Sequence, residues 1–413
     1  MTQPAQEPTT RPTPCPTPRP TPGPTPALIT ELIHHPYQPP STWEAVPPGV
    51  FKASTVIFAS ARAFRTRHTH SKGKSGYLYG LHGTPTTYTL EARLATLEGG
   101  THCELVPSGL AAITLVNLAL LKAGDEVLLP GNVYLPSKDQ ARTMLAGWGI
   151  SCQHYDAMDP ADLAARINER TKLIWLEAPG SVTMEFPDLP ALISIAKAKG
   201  VLTALDNTWG AGLAFRPFDL GIDVSAHALT KYPSGGADVL MGSVVTRDDA
   251  LGQRIHQTHS RLGLGVGAND VETILRALPT MAVRYHAHDA SARTLATWLA
   301  QQPRVSRVLH PALPGAPGHE HWARLCTSAA GLFAILLDPH LRVEQIDVFC
   351  DALKLFRIGA SWGGPVSLVV PYDLSTLRGA EQAAQGHLVR FSIGLEAVAD
   401  LQADLAQALA GLG

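Results

Sequence analysis

Between Thr101 and Val245 the chain alternates short apolar runs with stretches of helical spacing. The strand-like runs are HCELVP (102–107), EVLLP (126–130), TKLIWLEAP (171–179) and VLTALDNTW (201–209). Helical spacing occupies 110–122, 136–147, 160–168 and 188–199, and GWGI, AKAKG and LKAGD place glycines where helices end. Such alternation predicts an α/β domain, a mostly parallel sheet with helices on both faces.

A different rhythm follows. Residues 269–300 keep helical spacing, with a kink expected at Pro279. Beyond Pro303 come the strand-like runs SRVLHP, AAGLFAILL, SLVVP and HLVRFSIG, with helices over 342–354 and 398–411. This predicts a smaller α+β domain, with the boundary near 265–305. The chain has 413 residues, 45% of them hydrophobic, enough for a large buried core and two to three domains.

Composition removes several function classes. There are 33 basic and 35 acidic residues, a net charge of −2, so bulk electrostatics does not hold a polyanion. A basic strip at 61–80, with Arg62, Arg65, Arg67, Lys72 and Lys74 near aromatic rings, is read as a loop near an anionic ligand, with no nucleic-acid partner expected. Histidines pair as HxH at 68/70, 286/288 and 319/321, but two ligands without two more do not make a metal centre, and none is expected. Cys15, Cys103, Cys152, Cys326 and Cys350 lie far apart with no CxxC, which suits a reducing cytoplasm. No membrane partner is expected either, because the longest apolar stretch, Leu110 to Leu121, is broken by Thr114 and Asn117. Ten of the 33 prolines precede residue 27, so residues 1–26 read as an extended tail outside the core. GKS at 73–75 lacks the upstream glycine of a phosphate-binding loop. LGLGVGAN (262–269) follows a helix, not a strand, and is expected to be a flexible loop between domains.

Ligands of α/β sheets gather at the carboxyl ends of strands. Asp206 closes one apolar run there, and Lys231 follows another, before a glycine-rich turn. A desolvated lysine loses its proton readily and becomes a nucleophile. A plain ion pair or a helix cap would use the same two residues. Pyridoxal phosphate needs both groups separately, a lysine for covalent attachment and a carboxylate at its ring nitrogen. It also needs an anion cradle, and Ser108, Gly109 and Leu110 offer amides at a helix N-terminus in VPSGLAAI, a segment that also reads as a simple Ser-capped turn. Thr230 would add a hydroxyl, and Tyr134 is a candidate stacking ring or an ordinary loop tyrosine.

With these residues in place the chain resembles the Cys/Met-metabolism family of pyridoxal-phosphate enzymes of fold type I, from about Leu28 to the C-terminus. The motifs are YGLHGTPTTYTLEARLATLEGG (79–100), PSGLAA (107–112), LEAPGSVTMEFPD (176–188), LDNTWGAG (205–212), LTKYPSGGADVLMGSV (229–244), HPALPGAPGHEHW (310–322), SWGG (361–364) and LVRFSIGLE (388–396). The resemblance implies a seven-stranded-type sheet in the large domain. It implies a layout of tail (1–26), oligomer-building arm (27–75), cofactor domain (76–270), and linking helix with C-terminal domain (271–413). Lys231 would carry the cofactor and Asp206 would pair with its ring nitrogen. Tyr134 would lie over the ring and join Lys231 as a catalytic residue. Gly109, Leu110 and Thr230 would hold phosphate. Tyr79 would reach the phosphate of a neighbouring subunit, so the protein would be at least a dimer and most naturally a homotetramer. Arg390 would clamp the α-carboxylate of a small amino-acid substrate, and Ser361 and Trp362 would line its pocket.

Three positions depart from the pattern: Leu81 where relatives often have a phosphate-binding arginine, Ala228 where a serine is frequent, and Ala360 where some have an aromatic. His82, Arg65 or Arg67 are candidates to replace the missing arginine. LEAPGS at 176–181 and Trp362 favour the β-eliminating members, implying cleavage of L-cystathionine and other cysteine S-conjugates at the C–S bond. The alternative is a γ-acting relative.

Overall fold

The computed structural model describes residues 47–69, 74, 76–374 and 387–412. The proline-rich tail, Cys15, most of the basic strip's 70–75 stretch and the first part of the arm lie outside these residues.

Seven strands form the large sheet, in the order β1-β7-β6-β5-β4-β2-β3. They are β1 (His102–Val106), β2 (Glu126–Pro130), β3 (Ser151–Tyr155), β4 (Thr171–Glu177), β5 (Leu202–Asp206), β6 (Val224–Ala228) and β7 (Gly242–Thr246). The five strands from β6 to β3 are mutually parallel; β7 runs antiparallel to both β6 and β1. Because β1 opposes β7, it points the same way as β6. The carboxyl ends of β1, β2, β4, β5 and β6 therefore meet on one edge.

The central parallel strands β2 and β4 are apolar on both faces, as strands covered by helices must be. On β4, Ile174 and Leu176 enter one core while Leu173 and Trp175 enter the other. β2 divides the same way, Leu128 against Val127 and Leu129. Each fully buried aliphatic side chain of this kind contributes about 1.5–3 kcal/mol.

β3 and β7 are strands that the apolar runs do not mark. SCQHY lies at the sheet's edge and is only partly buried, so its sequence carries no apolar run. The glycine-rich 262–269 segment also differs from expectation. It joins the Asp249–Leu262 helix to the Ala268–Ala277 helix inside the large domain, with Gly263 in a left-handed cap at φ 68°. Val271, Ile274 and Leu275 pack with Leu90 and Leu94 of the Pro85–Glu98 helix, which ties the segment to the large core.

The expected kink falls at Leu278–Thr280, a 3₁₀ turn containing Pro279, and the Met281–Leu299 helix continues beyond it. Ala292, Leu295, Ala296 and Leu299 carry that helix into the second core beside Phe333, Phe349 and Phe391. The second sheet has the order β10-β11-β12-β9-β8. Its strands are β8 (Val305–Leu309), β9 (Leu332–Leu337), β10 (Arg357–Ile358), β11 (Leu368–Tyr372) and β12 (Leu388–Ser392). Among the described residues no helix is long and apolar enough to cross a membrane.

Candidate active site

The carboxyl edge of the large sheet opens into a cavity of about 460 Å³. Of the residues expected from sequence, Gly109, Leu110, Tyr134, Asp206, Thr230, Lys231, Trp362 and Arg390 all line it. Residues from four different strand ends and from the small domain thus converge on one space.

Lys231 sits three residues beyond β6. Its Nζ donates to Ser361 Oγ at 2.9 Å and lies 5.4 Å from the Trp362 ring centroid. Burial, helped by the positive charge of Arg390 and opposed by Asp206, pulls the amine down to about 8. A substantial neutral fraction therefore exists near physiological pH.

Asp206 is the last residue of β5. Thr208 donates to its Oδ1 twice, from the backbone at 3.0 Å and from the hydroxyl at 2.5 Å. The same hydroxyl accepts the Ala228 N–H at 2.9 Å, which ties the carboxylate to the end of β6. Burial raises the Asp206 pKa, Thr208 lowers it, and the positive end of a bound ligand would favour its charged form.

The Gly109–Leu120 helix begins at the mouth of β1, capped by Ser108, whose hydroxyl accepts from Ala111 N–H at 3.0 Å. The first intrahelical bond is Ala112 N–H to Ser108 O. The amides of Gly109 and Leu110 precede it, at the positive end of a twelve-residue helix. A Cβ at position 109 would stand 2.5 Å from the Ala228 Cβ, so only glycine lets the helix end approach β6 this closely. Ala228, one of the departures from the family pattern, presents only this methyl. Thr230 faces the cavity, although its hydroxyl already exchanges bonds with the Met241 backbone at 3.2–3.3 Å.

Arg390, on β12, is 7% exposed. Its guanidinium lies over the Tyr372 ring at 5.3 Å, and its Nε and Nη2 have no hydrogen-bond partner. A buried guanidinium with donors left open is a site prepared for a carboxylate. These orphan donors, the amides of Gly109 and Leu110, the Asp206 carboxylate and a nucleophilic amine together fit pyridoxal phosphate bound with an amino acid.

Tyr134, past β2, precedes the next helix, and its N–H donates to Glu177 Oε2 at 2.8 Å. Burial, then Asp206 and Glu177, raise its hydroxyl pKa. Glu177, Thr208 and Tyr372 belong to the site without having been singled out from the sequence. Glu177 closes β4 in register with Asp206 on β5. Burial first, and Asp206 second, push its carboxyl well above the usual range. The signal that marks Asp206, an acid ending an apolar run, marks Glu177 equally.

Tyr79 does not line this cavity; it is 47% exposed. Leu81 packs at Gly265, and neither His82, Arg65 nor Arg67 lines the cavity of this chain. His82 instead stands near His256, His259 and His68, and burial lowers its pKa. Lys74 of the basic strip turns inward to Glu91 and Glu104. Arg67 donates to Phe64 O at 2.8 Å and covers that residue's ring. In the HEH motif His319 bonds the Pro311 carbonyl at 2.9 Å, and His321 pairs with Asp188. Among the described residues no three His, Cys, Asp or Glu side chains are grouped to hold a metal.

Comparison with known proteins places the chain in a family. The chain is 41% identical over 386 residues to a cystathionine beta-lyase of Bordetella avium, covering 92% of this chain and 96% of that one. It is 36% identical over 384 residues to the cystathionine beta-lyase MetC of Escherichia coli, covering 92% and 97%. The crystal structure of metB from Corynebacterium glutamicum superimposes with a TM-score of 0.81 at 29% identity, covering 93% of this chain and 98% of that one. The model of the family described as Cys/Met metabolism PLP-dependent enzyme matches residues 29–410, and the chain belongs to that family.

Proposed function

We propose that this protein is a pyridoxal-phosphate-dependent carbon–sulfur β-lyase that cleaves L-cystathionine, with uptake of one water, to homocysteine, pyruvate and ammonia. The observation that carries the reading is Lys231, a desolvated amine whose charge is biased by a partly buried carboxylate, Asp206, and by a buried guanidinium with open donors, Arg390. Lys231 would hold the cofactor, Asp206 its ring nitrogen, the amides of Gly109 and Leu110 with Thr230 its phosphate, and Tyr134 its ring face.

Bound there, pyridoxal phosphate supplies a carbonyl that condenses with amines and a ring that takes up the electron pair left at Cα. Arg390 binds the α-carboxylate through its open Nε and Nη2 and so orients the Cα–H bond. Lys231, once free, takes the Cα proton as a neutral amine. It then returns a proton to the departing sulfur, so one residue serves as base and acid in turn. Asp206, oriented by Thr208, would hold the ring nitrogen and favour its protonated form. Ser361 holds the Lys231 amine on the substrate side between steps. Trp362 and the Tyr134 ring narrow the cavity and exclude water from the reacting carbon.

The family resemblance supports a shared site between subunits, with Tyr79 of each chain reaching the phosphate of the next. The exposure of Tyr79 in the single chain agrees with that reading, which makes the protein at least a dimer and most naturally a homotetramer. A cytoplasmic location goes with the scattered free thiols. The test is thiol release from L-cystathionine by wild type and Lys231→Ala. The wild type is expected to release homocysteine, and the variant to lose about 10²–10⁴-fold of that rate. Near-normal release by the variant would remove Lys231 from the reaction.

A further inference from the structure

Glu98 is the last residue of the Pro85–Glu98 helix and is fully buried. That helix end carries the negative pole of the backbone dipole, and no basic residue lies in its last turn. A carboxylate in this position is costly unless its partners do something in return. Its partners are three. Ser225 Oγ donates to Oε2 at 2.6 Å, Asn207 Nδ2 donates to the same oxygen at 3.1 Å, and His227 Nδ1 meets Oε1 at 2.9 Å. Asn207 and His227 are themselves buried, at 0% and 1% exposure.

These partners are the direct neighbours of the residues that hold Asp206. Asn207 follows Asp206 in the chain, and its N–H donates to Ala226 O at 2.9 Å, locking the end of β5 to β6. His227 precedes Ala228, whose N–H anchors the Thr208 hydroxyl, which in turn donates to Asp206. One carboxylate thus bonds residues at the ends of both strands, β5 through Asn207 and β6 through Ser225 and His227.

We propose that Glu98 is a positioning residue for the Asp206 carboxylate: through Asn207 and His227 it fixes where that carboxylate stands under the cofactor's ring nitrogen. The inference rests on the cofactor reading given above. It goes beyond that reading because Glu98 touches neither substrate nor cofactor and lines no part of the cavity.

The experiment uses the full-length holoenzyme and Glu98→Gln, which keeps size and shape but replaces an all-acceptor group with one that must also donate. Three quantities are read: the pH midpoint of the bound cofactor's visible absorbance, the cofactor dissociation constant, and the melting temperature. The control is Glu126→Gln. Glu126 accepts from Gln153, Thr171 and Asn168 at 2.6–2.9 Å, but at the opposite, amino-terminal edge of the sheet. Glu98→Gln is expected to move the midpoint by about half a pH unit or more and to weaken cofactor binding roughly tenfold. Glu126→Gln is expected to lower only the melting temperature. If Glu98→Gln lowers the melting temperature and leaves the midpoint and affinity at wild-type values, Glu98 is structural and the proposal falls. Should that variant fail to fold, His227→Gln takes its place: a moved midpoint and weakened binding support the proposal, and wild-type values of both overturn it. Wild-type protein that shows no cofactor band bleached by borohydride would instead overturn the cofactor reading itself.

Discussion

The Nζ of Lys231 donates to the Oγ of Ser361 at 2.9 Å. Lys231 follows β6 of the large sheet, and Ser361 lies between β10 and β11 of the small one, so this bond joins the two halves of the molecule at the amine proposed to react. Its loss removes one acceptor from a partly buried amine, a change of about 1.5–3 kcal/mol where a charged partner is involved. Ser361→Ala is expected to lower kcat/KM for L-cystathionine roughly tenfold while cofactor absorbance stays intact. An unchanged kcat/KM would show that the small domain does not position the amine.

The depressed pKa of Lys231 has a readable sign. Burial disfavours the cationic form, so the amine gives up its proton near pH 8, where an ordinary lysine would hold it to about 10.4. Only the neutral amine attacks a carbonyl. The rate at which apoenzyme takes up pyridoxal phosphate should therefore rise with pH up to about 8 and level above it. Arg390→Met removes a neighbouring positive charge and should move that midpoint upward. Stopped-flow absorbance between about pH 6.5 and 9.5 checks both. A rate still rising tenfold per unit at the top of the range would contradict the assignment.

Arg390 keeps two donors unpartnered while 7% exposed. Truncating one partner of a buried charge pair costs about 2–5 kcal/mol. Arg390→Met is expected to lower kcat/KM for L-cystathionine by roughly 10²–10³-fold, most of it in KM. Arg390→Lys should recover little, because a point charge does not reproduce the bidentate fork. Steady-state kinetics of the two variants decides this, and a rescue by lysine would argue for charge alone.

Gly109 is needed for close approach, with the Ala228 methyl 2.5 Å from where its own Cβ would be. Gly109→Ala must push the helix N-terminus away from β6, at a cost of about 1–3 kcal/mol. The two amides aimed at the cavity move with it. The cofactor dissociation constant is expected to rise at least about tenfold, measured by titrating apoenzyme.

Much of this arrangement is legible along the chain because strand ends are local. Asp206 and Lys231 each close an apolar run, and Ser108 and Gly109 sit where a strand turns into a helix. What escapes depends on residues distant in the chain. Glu98 meets Ser225 and His227 across more than 120 positions, and no spacing rule pairs them. β3 escapes for another reason, since an edge strand paired on one side only and partly exposed needs no apolar run. The glycines at 263–267 read as a link between domains because nothing local reveals that Val271, Ile274 and Leu275 pack on the Pro85–Glu98 helix.

In the proposed reaction a proton leaves Cα, and the bond broken next lies one carbon away, at Cβ–S. Which bond breaks is read from the keto acid that the purified holoenzyme forms from L-cystathionine. Pyruvate is expected, in equal amount to homocysteine. Accumulation of 2-oxobutyrate with cysteine would place the cleavage at the γ-carbon and contradict a β-elimination.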